Sequence, residues 1–195
     1  MKTVDFLVVG LGNPGDEYRC TRHNFGFQAV DRLASGLGVS LRHLPMLEAE
    51  AGVGDLSPYT LALAKPVTFM NASGRAVAAL TRFFQLRSPE QLIVIHDDLD
   101  IPLGKIKIKS GGGSGGHKGV SSIIASLGTD EFRRVRLGIG LEKRPDDVVD
   151  YVLAPFAGEE QELVQHVLVE AEAAVKMIIQ QGLEKAMNHF HRQSS

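Results

Sequence analysis

Apolar residues along this chain follow two periodicities, and the switches between them outline its elements. Phe6, Leu7, Val8 and Val9 form a continuous apolar run of strand length, as does Leu92–His96 (LIVIH). Such runs belong to central strands covered on both faces. Lys105–Lys109 (KIKIK) alternates with period two, isoleucines to one side and lysines to the other. That pattern suits either an edge strand protected by charge or a phosphate-facing surface. Further strands are predicted near Glu48–Asp55, Tyr59–Lys65 and Arg134–Gly140, with Gly54 to Pro58 as a turn between the first two.

Helical spacing fills the intervals. After Asn24 as a cap come Phe25, Phe27, Val30, Leu33 and Ala34, stopping at Gly36 or Gly38. Ala76, Val77, Leu80, Phe83 and Phe84 share one face, and Val120, Ile123, Ile124 and Leu127 form another. Glu159–Gln181 is a long amphipathic stretch closed by Gly182, with a short final helix to about His191. Strands alternating with helices predict an α/β fold. The expected form is a single-domain sandwich over residues 1–195, with a central mixed, mostly parallel twisted sheet flanked by helices and a helical segment from about residue 158.

Composition narrows the class. A chain of 195 residues can bury one sizeable core. No apolar run approaches the roughly 18 residues of a membrane span, and no export signal is evident. Cys20 is the only cysteine, which excludes an internal disulfide and disfavours a thiolate metal site. A cytoplasmic protein is expected. The net charge is only −2, yet the charges are segregated. Between Leu103 and Arg144 lie Lys105, Lys107, Lys109, Lys118, Arg133, Arg134, Arg136, Lys143 and Arg144, against Asp130, Glu131 and Glu142. One basic face on a mildly acidic chain points to local docking of a polyanion; a solvated charged surface is the plain alternative.

Candidate chemistry clusters at predicted ends of elements. Gly10-Leu11-Gly12-Asn13-Pro14-Gly15 satisfies G-x-G-x-x-G after a strand, so a nicotinamide oxidoreductase has to be weighed. Two features oppose it: the helix opens roughly eight residues beyond the third glycine, and Asp31 falls inside that helix. Gly111–Gly119 reads either as a flexible connection or as backbone N–H groups and a helix N-terminus offered to an anion, and it lacks the Gly-Lys-Ser/Thr ending of a nucleotide-triphosphate loop. Singly, His23 reads as a helix-entry residue, Asp97 as a turn residue, Asn13 as the start of an Asn-Pro turn and Asn71 as a cap. Together they offer a His–Asp pair to activate water and amides to position substrate and stabilise an oxyanion. No glycine-flanked serine elbow is present, and Cys20 reads as structural.

Four stretches carry a more specific likeness. GLGNPGDEYRCTRHNFG (10–26), KPVTFMNASGRAV (65–77), HDDLDIPLGKIKIKSGGGSGGHKG (96–119) and FRRVRLGIG (132–140) resemble bacterial peptidyl-tRNA hydrolases across essentially the whole chain. The resemblance implies a monomeric cytosolic esterase with no metal or cofactor. Its reaction would be cleavage of the ester joining a peptide to the terminal ribose of tRNA, freeing prematurely dropped chains. It also implies roles: His23 as general base, Asp97 as its orienting partner, Asn71 as a donor to substrate and oxyanion, and Asn13 as a holder of the peptide or ribose end. Tyr18, Phe69 and Met70 would line the peptide groove, Lys109 and Arg136 would clamp a tRNA phosphate, and His117 would belong to a glycine-rich gate. At position 118 the family commonly has asparagine, whereas this chain has Lys118. An ammonium donates but cannot accept, so Lys118 is expected to bind substrate without activating water. The rival from another class is a non-catalytic RNA-binding protein on the same scaffold.

Overall fold

The computed structural model describes residues 3–141 and 145–192, so the predicted charges at Glu142, Lys143 and Arg144 lie outside the described residues. In chain order the elements are β1 (Phe6–Gly10), α1 (Phe25–Gly36), β2 (Arg42–Leu44), β3 (Ala49–Leu56), β4 (Tyr59–Pro66), α2 (Ser73–Phe83) and β5 (Leu92–Pro102). They continue with β6 (Ile106–Ser110), α3 (Lys118–Leu127), β7 (Arg133–Gly140), α4 (Val148–Leu153), α5 (Gln161–Gln181) and α6 (Leu183–Arg192). The strands form one sheet in the order β2-β3-β4-β1-β5-β7-β6. The central strands β4, β1, β5 and β7 pair in parallel, while β3 and β6 run against their neighbours.

The two continuous apolar runs sit side by side at the centre, with Val8 opposite Ile93 in register. Alternate residues feed two separate cores. Val8, Ile93 and Ile95 face α1, α5 and α6, through residues such as Leu33, Val175 and Phe190. Leu7, Val9 and Val94 face α2 and α3, through Val77, Leu80, Val120 and Ile123. Burial on both faces is why these strands carry no polar alternation. The KIKIK segment lies at the sheet edge, with Ile106 and Ile108 buried and Lys107 exposed. Its outward backbone is partly covered by α6, where His191 Nε2 accepts from the Ile108 N–H at 3.1 Å.

Three features differ from the sequence expectation. β2 is a three-residue strand, Arg42-His43-Leu44, too short to show a period. α4 follows Asp147, whose side chain accepts from the N–H groups of Val149 and Asp150, a capping signal present in the sequence but unused. β5 continues beyond LIVIH to Pro102, because pairing with β7 carries on through His96 opposite Arg136 and Asp97 opposite Leu137.

Candidate active site

Close backbone approach brings the start of α1 onto the carboxyl ends of β1 and β5. Leu11 N–H bonds the Ile95 carbonyl at 2.9 Å, and Phe27 N–H bonds the Leu11 carbonyl at 3.2 Å. Gly26 permits this contact: a Cβ there would collide with the Ile95 oxygen and the Leu11 backbone. The turn Arg22–Asn24 just before α1 therefore hangs over the end of β5, where Asp97 projects. Asn24 occupies the cap position but its side chain does not cap the helix. Instead it accepts from the Asn13 N–H at 2.8 Å and donates to the Asn13 carbonyl at 2.9 Å, fastening the glycine turn to the helix entry. This corrects the expected cap. The segment Gly10–Gly15 ends well before α1, with two short helical turns between, so no helix N-terminus faces a pyrophosphate there.

Asp97 is the hub of a histidine cluster. Its carboxylate lies 3.0 Å from His23 Nδ1 through both oxygens, and 3.0 Å from His117 Nε2 through Oδ1. The partners fix each ring's tautomer. His117 Nδ1 accepts from the Val120 N–H at 3.3 Å, capping α3, so its Nε2 carries the hydrogen that goes to Asp97. His23 donates through Nδ1, which leaves the ring's lone pair on Nε2, and the residue lines the groove. Burial by itself would raise the Asp97 pKa, but His117 and His23 together hold it well below the usual carboxylate range.

Beneath them His96 is fully enclosed. Its Nδ1 donates to the Asp97 carbonyl at 2.7 Å, and its Nε2 is buried without a partner. Burial, aided by the neighbouring His117, lowers its pKa to about 3, so it stays neutral. His23, Asp97 and His117 are the one His/Cys/Asp/Glu group among the described residues whose ligand-capable atoms lie within 4.8 Å of one another. A metal there would have to displace the protons on both imidazoles.

The cluster opens into a groove of about 490 Å³. Asn13, His23, Phe69, Met70 and Asn71 line one part of it, Ser114 to Lys118 another, and Val148, Val149, Val152 and Leu153 of α4 a third. Asn13 Oδ1 accepts from the Met70 N–H at 2.8 Å, which leaves the Nδ2 donor of that amide for the groove. Asn71 is exposed and Phe69 stands out at 59% exposure, whereas Met70 is buried. Tyr18 is not among the lining residues; it ends a short turn whose carbonyl accepts from Thr21 N–H and Oγ1.

The basic face divides into two kinds of cation. Arg134 is buried and donates to the carbonyls of Gly112 and Gly113, so it shapes the glycine loop instead of facing solvent. Arg136 is one-quarter exposed, with Nε on Asp98 Oδ2 at 2.7 Å, and the Lys109 ammonium lies over Gly112.

Sequence reasoning passed over Arg22. Its buried guanidinium donates to the Ala154 and Pro155 carbonyls and to Glu160 Oε2 at 2.7 Å, and stacks 4.3 Å from the Tyr151 ring centre. It ties the apolar wall of α4 to the turn that carries His23. The only sequence cue was an arginine adjoining the candidate base.

The fold and site together define an α/β protein with a histidine–carboxylate groove at the carboxyl edge of its sheet, beside a basic strand edge. The sequence model for the peptidyl-tRNA hydrolase family matches residues 7–195, and the chain belongs to that family. It is 49% identical over 187 residues to the peptidyl-tRNA hydrolase of Geobacter sp. (strain M21), covering 95% of this chain and 97% of that one. It is 45% identical over 186 residues to the enzyme of Moorella thermoacetica, with coverage of 95% and 97%. The crystal structure of peptidyl-tRNA hydrolase from Acinetobacter baumannii superposes with a TM-score of 0.89 at 36% identity, covering 97% of this chain and 96% of that one.

Proposed function

We infer that this chain hydrolyses peptidyl-tRNA, cutting the ester between the peptide, or an N-blocked aminoacyl group, and the 3′-terminal ribose. The observation that carries this reading is the His23 Nδ1 contact of 3.0 Å with both Asp97 oxygens, which leaves the other ring nitrogen for water. His23 Nε2 removes a proton as water attacks the ester carbonyl, and the imidazolium formed is stabilised by the Asp97 anion. The tetrahedral oxyanion takes hydrogen bonds from neutral amides, Asn71 first, with Asn13 Nδ2 holding the substrate beside the base. His23 then returns its proton to the departing ribose oxygen. The products are a carboxylic acid and a free tRNA hydroxyl, so protons and bonds balance. Phe69, Met70 and the α4 wall receive the peptide, and His117 keeps Asp97 in place through Oδ1.

Lys109 and Arg136 are the tRNA phosphate contacts, with affinity drawn from charge and placement instead of base sequence. The protein works as a monomer in the cytoplasm, as the family resemblance implies; its single cysteine suits a reducing compartment. The test is parallel incubation with N-blocked and free aminoacyl-tRNA, following ester loss. Cleavage of the blocked form alone is expected. Failure to cleave it, in folded protein that still binds tRNA, would favour a non-catalytic RNA-binding role.

A further inference from the structure

We propose that Lys118 is a substrate-specificity residue, binding the phosphodiester that joins the terminal nucleoside of the RNA to its neighbour. This rests on the hydrolase reading above and names which part of the substrate this side chain holds. Lys118 is exposed, lines the groove, and is the only lysine or arginine among the described residues that does so. None of the described residues forms an ion pair with it.

Its place in the fold supplies the direction of approach. On β6 and β7, Lys107 lies opposite Arg136 and Lys109 opposite Arg134, so all four cations share one face of the sheet edge. Arg134 and Lys109 touch the glycine loop at Gly112 and Gly113. The loop then runs past Ser114, Gly115 and Gly116 along the groove to Lys118, the first residue of α3. A polyanion seated on the edge is led along this loop, and Lys118 is the last cation before His23. The opposite wall, Val148, Val149, Val152 and Leu153, is apolar and suits the peptide. The ester therefore lies with its acyl side toward α4 and its RNA side toward Lys118.

Charge selects a phosphate over the ester carbonyl as the ligand. An ammonium is a full charge with three donors and no acceptor, whereas the carbonyl is already served by neutral amides at Asn13 and Asn71. The groove also holds three carboxylates, Asp97, Asp98 and Asp100. Asp97 is matched by imidazoles and Asp98 by Arg136, so the groups at those carboxylates are already engaged, whereas Lys118 is available to an incoming phosphate. The N-terminus of α3, a helix of 10 residues, adds its partial charge on the same side.

The experiment compares Lys118→Asn, Lys118→Met and Lys118→Arg with the unchanged protein on three substrates. These are N-blocked aminoacyl-tRNA, an N-blocked aminoacyl dinucleotide with one internal phosphodiester, and N-blocked aminoacyl-adenosine with none. For Asn and Met, KM should rise about tenfold on the first two substrates while kcat holds, and the log–log salt slope should fall by about 0.7 to 1. Hydrolysis of the adenosine ester should be unchanged, and Lys118→Arg should restore the first two. A loss of kcat shared by all three substrates would overturn the proposal, placing Lys118 at the reacting carbonyl. No change on any substrate would overturn it too. Failure of the unchanged protein on N-blocked aminoacyl-tRNA would instead remove the hydrolase reading itself.

Discussion

Replacing Asp97 by asparagine changes one oxygen into an amino group inside a network whose proton positions are set by neighbours. Oδ1 receives His117 Nε2–H, and His23 Nδ1 lies 3.0 Å from both carboxylate oxygens. The Val120 N–H holds His117 as an Nε2–H donor, so the asparagine must turn its oxygen toward His117. Its amino group then sits where Oδ2 was, against His23 Nδ1. His23 Nδ1 then lies 3.0 Å from an N–H group and 3.0 Å from a neutral oxygen that His117 already occupies. Moving its proton to Nε2 lets Nδ1 accept from the amino group instead, exchanging a repulsion and a shared bond for an unshared one and taking the lone pair off Nε2. A wrong tautomer in a comparable dyad costs about 10⁴ in kcat, or about 5 kcal/mol in the barrier. Shape is conserved, so the folded state should persist by circular dichroism and melting. Single-turnover cleavage of N-blocked aminoacyl-tRNA reads the chemical step. A kcat within about tenfold of the unchanged protein, in a folded preparation, would refute the role given to Asp97.

Other expectations rest on separate contacts. His96 stays neutral in the fold down to about pH 3, while in the unfolded chain it titrates near 6.5, about its free value. Between these values the unfolded state binds one more proton, so stability falls as pH drops, by up to about 1.4 kcal/mol per pH unit. His96→Asn keeps a donor for the Asp97 carbonyl but cannot titrate. Its melting temperature should therefore fall less steeply between pH 6.5 and 4.5, and parallel profiles would count against the assignment. Arg22→Met removes the ties to Ala154, Pro155 and Glu160. It should cost about 2–4 kcal/mol by urea unfolding and raise KM for substrates with bulky acyl groups as the α4 wall loosens. A loss under 1 kcal/mol with an unchanged KM would show that the tie holds nothing. Lys109→Ala should raise KM for full-length N-blocked aminoacyl-tRNA several-fold, near the effect of about 1 kcal/mol expected for one phosphate contact. It should leave an N-blocked aminoacyl-adenosine unaffected; an equal effect on both would displace the phosphate contact from that lysine.

Much of the fold was legible in the pattern of apolar positions, because burial on one face or two leaves a period in the chain. The two central strands, the lysine edge strand, five of the six helices and the α/β class all followed from that. So did the candidacy of His23, Asp97, Asn13 and Asn71, whose side chains carry the needed chemistry wherever they are placed. Helix α4 escaped notice since six residues are less than two turns, too few to show helical periodicity. Asn24 was misread because a cap is inferred from neighbours in sequence, whereas its actual partner, Asn13, lies 11 residues earlier. Only the tertiary structure set His23 and His117 against one carboxylate, 74 and 20 residues from Asp97. Only it made Arg134 a buried clamp for the glycine loop and brought Lys118 to the groove that His23 lines. Residue type and period are local properties of a chain. Tautomer, pairing and reach depend on which segments the sheet order brings together, and no local pattern encodes that.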